Sequence, residues 1–151
     1  MWSNGGWSWI CLKNKSMPGH HNTFMLWLPV ILFCLAIFLQ SCFPSPDMGP
    51  TFPFKDKALH LAAYALLAAL FVRACRWTWS GRFSRLQLML LGIGFATVYG
   101  VSDELHQSLV AARQAEFMDV LADFAGSILG AAVYLKMSSR YSRIDKTGDI
   151  L

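Results

Sequence analysis

Four long apolar stretches, parted by short polar segments, set the terms on which this chain can fold. Phe24 to Phe43 has no charged residue, and Ala58 to Val72 is interrupted only by His60 and Tyr64. Leu86 to Ser102 is again free of charge, and Phe117 to Leu135 carries only Asp119 and Asp123. A bilayer core about 30 Å thick is crossed by about 20 helical residues, with a lower limit near 17. The first, third and fourth stretches meet that length directly. The second meets it if Asp56 and Lys57 sit at the headgroups. No polar helical face separates the stretches, as a soluble bundle would require. The expectation is an all-α integral membrane four-helix bundle, with helices at about 24–43, 57–74, 86–103 and 117–136.

Composition agrees. The chain is 55% hydrophobic and 15% charged over 151 residues, against roughly 25% charge in soluble domains. Disorder is excluded, because disordered chains are rich in charge and poor in apolar residues. The net charge of +4 raises the question of a nucleic-acid partner, which the placement of the charges answers. Lys13 and Lys15 precede the first stretch, and Arg73, Arg76, Arg82 and Arg85 fill the second loop. Lys136, Arg140, Arg143 and Lys146 follow the fourth. With four crossings these regions share one side, which the positive-inside tendency makes cytoplasmic. Both termini are then expected inside a bacterial cytoplasmic membrane. The basic excess is topology, and no nucleic-acid partner is expected.

The same reading divides the chain into a basic, Trp-rich segment 1–23, a membrane domain 24–137 and a basic tail 138–151. Trp77 and Trp79 fall where interfacial anchors are expected. Pro44, Pro46, Pro50 and Pro53 make the first outer loop non-helical. Gly126 and Gly130 form a GxxxG step that lets some neighbouring helix approach closely. Leu39-Gln40-Ser41-Cys42 loosely imitates a lipoprotein cleavage site, but Gln40 suits it poorly and three membrane helices would remain to be placed. The cysteines Cys11, Cys34, Cys42 and Cys75 are scattered and support neither a disulfide framework nor a zinc site.

The outer segments are net acidic, and their polar residues repeat a spacing of four. Asp56 and His60 are so spaced, with Tyr64 continuing the face. Asp103 and Gln107 follow suit, with Glu104 and His106 beside them, and so do Asp119 and Asp123. Residues four apart share a helical face. The second helix begins outside, the third ends there and the fourth begins there, so three polar faces are expected at one depth. Ionisable groups at such positions are costly and mark functional sites. Asp56 and Asp119 have an alternative as helix N-terminal acids. Lys57 has one as a snorkelling side chain, and Tyr64 as a core aromatic. Asp103 and Glu104, expected at a helix C-terminus, require a partner such as Arg113, Lys57 or a histidine.

The run Asp56-Lys57-Ala58-Leu59-His60-Leu61-Ala62-Ala63-Tyr64 resembles the D-K-x-x-H-x-x-x-Y signature of VanZ-like membrane proteins. Ser102-Asp103-Glu104-Leu105-His106-Gln107-Ser108 resembles that family's second block. Arg113, Asp119-Val120-Leu121-Ala122 and Gly126 resemble its third. The resemblance covers about residues 26–137. Two departures stand out: Ala111-Ala112 precede the arginine in place of the usual Pro-Gly, and Asp123 occupies a position that is usually Asn. The resemblance implies a four-helix membrane protein and a link to tolerance of the glycopeptide teicoplanin, without naming a reaction.

The resulting expectation is an outer-leaflet cluster that binds or modifies a membrane lipid or a lipid-linked envelope component. For chemistry, His60 or His106 is the general acid/base, because histidine titrates near neutrality. Asp103 or Glu104 orients it, and Lys57 or Arg113 holds an anionic group. Asp56, Tyr64, Gln107, Asp119 and Asp123 complete the ligand contacts. The donor types for a metal on His60, His106 and one or two acids are present, but no metal or cofactor is assigned. The competing readings are a non-catalytic accessory protein, acting as a homo-oligomer or as a subunit, and a structural clasp between helices.

Overall fold

In the computed structural model, which describes residues 22–43, 54–110 and 116–148, the chain is four helices. They are α1 (Thr23–Ser41), α2 (Lys55–Thr78), α3 (Arg85–Gln107) and α4 (Phe117–Gly148). All four are long and apolar enough to cross a membrane, and no strand occurs among the described residues. The all-α membrane bundle expected from hydropathy is therefore the observed fold.

Local chemistry explains the helix ends. The Asn22 side chain accepts from the Phe24 N–H to cap α1. Ser84 and Gln87 exchange side-chain and backbone hydrogen bonds in a capping box at the start of α3, the pattern that satisfies two orphan donors at once. Pro29 lies inside α1 without ending it, as membrane helices tolerate. Helix α3 runs to Gln107, one turn past the expected end near residue 103. Asp103 and Glu104 are thus followed by a further helical turn, on which Gln107 reaches back to Asp103.

Helix α2 packs against each of the other three, and most extensively against α4, while α1 touches only α2 and α3. The α2–α4 seam depends on missing side chains. A Cβ on Gly126 would meet the Leu61 carbonyl, and one on Gly130 the Ala65 carbonyl. The GxxxG step thus has a partner, α2, whose backbone it admits at close range. Small residues continue inward, with Ala68, Ala74, Ala96 and Ala131 fully buried beside Leu67 and Val72. The outer surface is the reverse of a soluble protein's. Ile31, Leu35, Leu90, Val98, Leu129 and Val133 are exposed, as hydrocarbon rather than water demands.

The two ends differ in chemistry. Trp79 and Arg82 sit in the α2–α3 turn, with Trp77 at the end of α2 and Arg85 at the start of α3, and Trp27 of α1 closes on it through a hydrogen bond to Thr78 and an edge contact with Trp79. Arg76 donates to Ser138 of α4. At the other end, the start of α2, the end of α3 and the start of α4 assemble the acids.

Candidate functional site

Three layers of polar side chains stack along the face of α2. Asp56 is exposed, the His60 side chain is 10% exposed, and Tyr64 is buried. The spacing of four therefore becomes a gradient of depth, and the other helices meet it layer by layer.

Lys57 forms the entrance. Its Nζ lies 2.6 Å from Glu116 and 3.1 Å from Asp119. Glu116 is exposed and Asp119 is buried. Asp119 sits in the first turn of α4, where the helix dipole also favours a carboxylate.

His60 forms the middle. Its Nδ1 is 3.0 Å from Asp123 Oδ1 on α4, and its Nε2 is 3.9 Å from Glu104 Oε1 on α3. Glu104 is fixed through its other oxygen, which accepts the Glu116 backbone N–H at 3.0 Å. Asp123 is fully buried, and Gly100 of α3 makes its room: a Cβ there would strike the carboxylate. Glu104 Oε1 and Asp123 Oδ2 are buried without a hydrogen-bond partner. Buried polar atoms are usually satisfied; here Glu104 Oε1 faces His60 Nε2 at 3.9 Å and Asp123 Oδ2 packs against Gly100.

A third group lies toward α1. Asp103 accepts from Ser41 Oγ at 2.5 Å and from Gln107 Nε2 at 2.9 Å, and all three residues are buried. His106 turns the same way. Its Nε2 lies 3.4 Å from Cys42 Sγ and its ring is 4.8 Å from that of Phe38. A cleft of about 80 Å³ opens here between α1 and α2, walled by Ile37, Leu59 and Ala63 and by Gln40, Asp56, His60, Tyr64 and Asp103.

Most of the sequence-derived residues thus converge from α2, α3 and α4 on one end of the bundle, with three differences in arrangement. His106 stands apart from His60 and pairs with α1, so the two histidines do not form one centre. The residue that orients His60 is Asp123, where Asp103 or Glu104 was expected. Lys57 is already engaged by two carboxylates, which leaves its charge spent on the protein rather than on an anionic ligand. Arg113 lies outside the described residues. Ser41, Cys42 and Glu116 were missed. The polar run Gln40-Ser41-Cys42 at the end of an apolar helix was the available signal, because topology puts that end beside the acids.

A metal is geometrically accessible. Ligand atoms of Asp56, His60 and Asp119 all lie within 4.8 Å of one another. Among the described residues this group does not include His106.

The family model for VanZ/LLP1 matches residues 20–138, which is most of the chain. The chain belongs to the VanZ/LLP1 family. The match spans all three polar layers of this VanZ-like protein, and the sequence blocks that resembled the family are the ones that build its acidic end. No curated protein and no solved structure matches the chain.

Proposed function

We propose that this VanZ-like protein resides in the bacterial cytoplasmic membrane with both termini inside, and that its acidic end lies in the outer leaflet. There it receives the polar headgroup of an amphiphilic envelope component, a membrane lipid or a lipid-linked precursor. The observation that carries this reading is the cleft between α1 and α2. Its wall is apolar at Ile37, Leu59 and Ala63 and polar at Asp56, His60, Tyr64 and Asp103. An amphiphile matches such a lining, with its chain along the apolar side and its headgroup against the acids. Acid-rich walls favour hydroxyl and amino donors, as carried by a sugar headgroup, over a bare phosphate. Occupancy of this kind would change how an amphiphilic glycopeptide such as teicoplanin reaches the envelope.

A second reading, chemical modification of that headgroup, is favoured by the His60–Asp123 contact. A carboxylate on Nδ1 sets the tautomer that leaves Nε2 free for proton transfer. A third, the structural clasp, treats the same contacts as interhelical glue.

The test compares extracted lipids, wall precursors and teicoplanin susceptibility in cells with and without the protein, and with His60→Ala at equal membrane level. Headgroup binding predicts a susceptibility shift that His60→Ala removes, with lipid chemistry unchanged. A new lipid or precursor species that His60→Ala abolishes selects modification. Identical cells with and without the protein contradict both readings. Loss of His60→Ala from the membrane favours the clasp.

A further inference from the structure

We infer that the acidic end holds one divalent transition-metal ion, Zn²⁺ or Mn²⁺, on His60 Nε2 and the carboxylates of Asp56 and Asp119, with Glu104 Oε1 close to His60 on α3. The site shares Asp56 and His60 with the cleft wall, and its test reads metal binding alone.

Geometry comes first. The ligand atoms of Asp56, His60 and Asp119 lie within 4.8 Å of one another. Donors about 2.1 Å from a tetrahedral ion are about 3.4 Å apart, so the set closes with side-chain movement of about 1 Å. Two of the three residues are firmly placed. His60 is held at Nδ1 by Asp123, at 3.0 Å, and Asp119 at one oxygen by Lys57, at 3.1 Å. Asp56 is exposed at the rim, free to swing over the ion.

The supporting shell is the second observation. Metal-binding imidazoles almost always give their other ring nitrogen to a carboxylate, which fixes the tautomer and raises donor strength. Asp123 occupies that position on His60. Glu104 is 5% exposed, and its Oε2 is tied to the Glu116 N–H. Its Oε1 is left without a hydrogen-bond partner, 3.9 Å from His60 Nε2. A buried carboxylate oxygen held toward an imidazole nitrogen with no donor between them is placed as a ligand atom would be.

Electrostatics gives the reason for an ion. Asp56, Asp103, Glu104, Glu116, Asp119 and Asp123 gather at this end of the described chain, against Lys55 and Lys57. Excess carboxylate in a low-dielectric setting is costly, and a divalent ion offsets it. One imidazole among carboxylates suits Zn²⁺ or Mn²⁺ better than it suits Ca²⁺ or Mg²⁺. The ion would supply a Lewis acid at the cleft wall, which its ligands Asp56 and His60 line.

The full-length protein in nanodiscs, stripped with EDTA, is titrated calorimetrically with Zn²⁺ and separately with Mn²⁺. The inference expects one ion per chain for at least one of the two metals. It also expects affinity to fall at least about tenfold in Asp56→Asn and further in His60→Ala, with His106→Ala unchanged. Asp56 is exposed, so its variant keeps the test valid even where His60→Ala fails to fold. Absence of binding by either metal to the folded protein overturns the site. So does binding that Asp56→Asn leaves unaltered, or binding that His106→Ala abolishes. None of these outcomes bears on headgroup recognition, which is read from lipids and susceptibility.

Discussion

His60 and Asp123 meet across the α2–α4 seam, with Nδ1 3.0 Å from a carboxylate oxygen that belongs to a fully buried residue. The contact is possible because two glycines clear the way. Gly100 leaves space for the carboxylate, and Gly126 brings α4 onto the backbone of α2 at Leu61. Packing and polar chemistry at this end are therefore one arrangement.

Replacing Asp123 separates charge from hydrogen bonding. Asp123→Asn keeps an acceptor for the His60 N–H and is expected to change stability by less than about 1 kcal/mol. Asp123→Ala leaves the imidazole unpaired in a buried setting and is expected to cost about 1–3 kcal/mol. Unfolding of the purified protein by SDS titration in mixed micelles reads the difference.

The Lys57 bridges are unequal in value. Glu116 is half exposed at 51%, whereas Asp119 is 2% exposed. Glu116→Gln is expected to cost no more than about 1 kcal/mol, as exposed pairs do. Lys57→Gln strips the buried Asp119 of its cation and is expected to cost about 1–3 kcal/mol. Equal effects of the two substitutions in the same unfolding assay would contradict this ranking.

Gly130 is expected to tolerate no side chain. Gly130→Val drives a Cβ into the Ala65 carbonyl, which is backbone and cannot rotate away, at a cost of about 1–3 kcal/mol or more. Gly94 of α3 faces open space, and Gly94→Val is expected to stay within about 0.5 kcal/mol. Expression and thermal stability in detergent distinguish the pair.

Orientation makes a prediction of its own. In a background lacking the native cysteines, Leu109→Cys at the acidic end is expected to react with a membrane-impermeant maleimide on intact cells. Arg82→Cys in the basic α2–α3 turn is expected to react only after permeabilisation. The reverse pattern would place the acidic end in the cytoplasm and remove the outer-leaflet reading.

Hydropathy made the helices legible, because the bilayer imposes one length on every crossing. The spacing of four placed Asp56, His60 and Tyr64 on one face, and topology brought that face to Asp103, Asp119 and Asp123. Rotation about each helix axis was not legible. His106 and Asp103 are three apart and looked like members of one cluster, yet His106 contacts Cys42 while Glu104, next to Asp103, faces His60. Which residue orients His60 depends on the α2–α4 approach, and the GxxxG step at Gly126 and Gly130 did not name its partner. Ser41 and Cys42 were read only as part of a poor lipoprotein-like cleavage motif at the end of an apolar helix, not as site residues.

Headgroup recognition in the α1–α2 cleft is tested most directly by photo-crosslinking from within the membrane. A photoreactive residue at Leu59, on the cleft wall, is compared with one at Leu129, exposed on α4. The account predicts that position 59 captures a polar-headed amphiphile that position 129 does not, and that adding His60→Ala lowers its yield roughly tenfold, the effect of about 1.4 kcal/mol. The same lipids in the same yield at both positions, unchanged by His60→Ala, would contradict it.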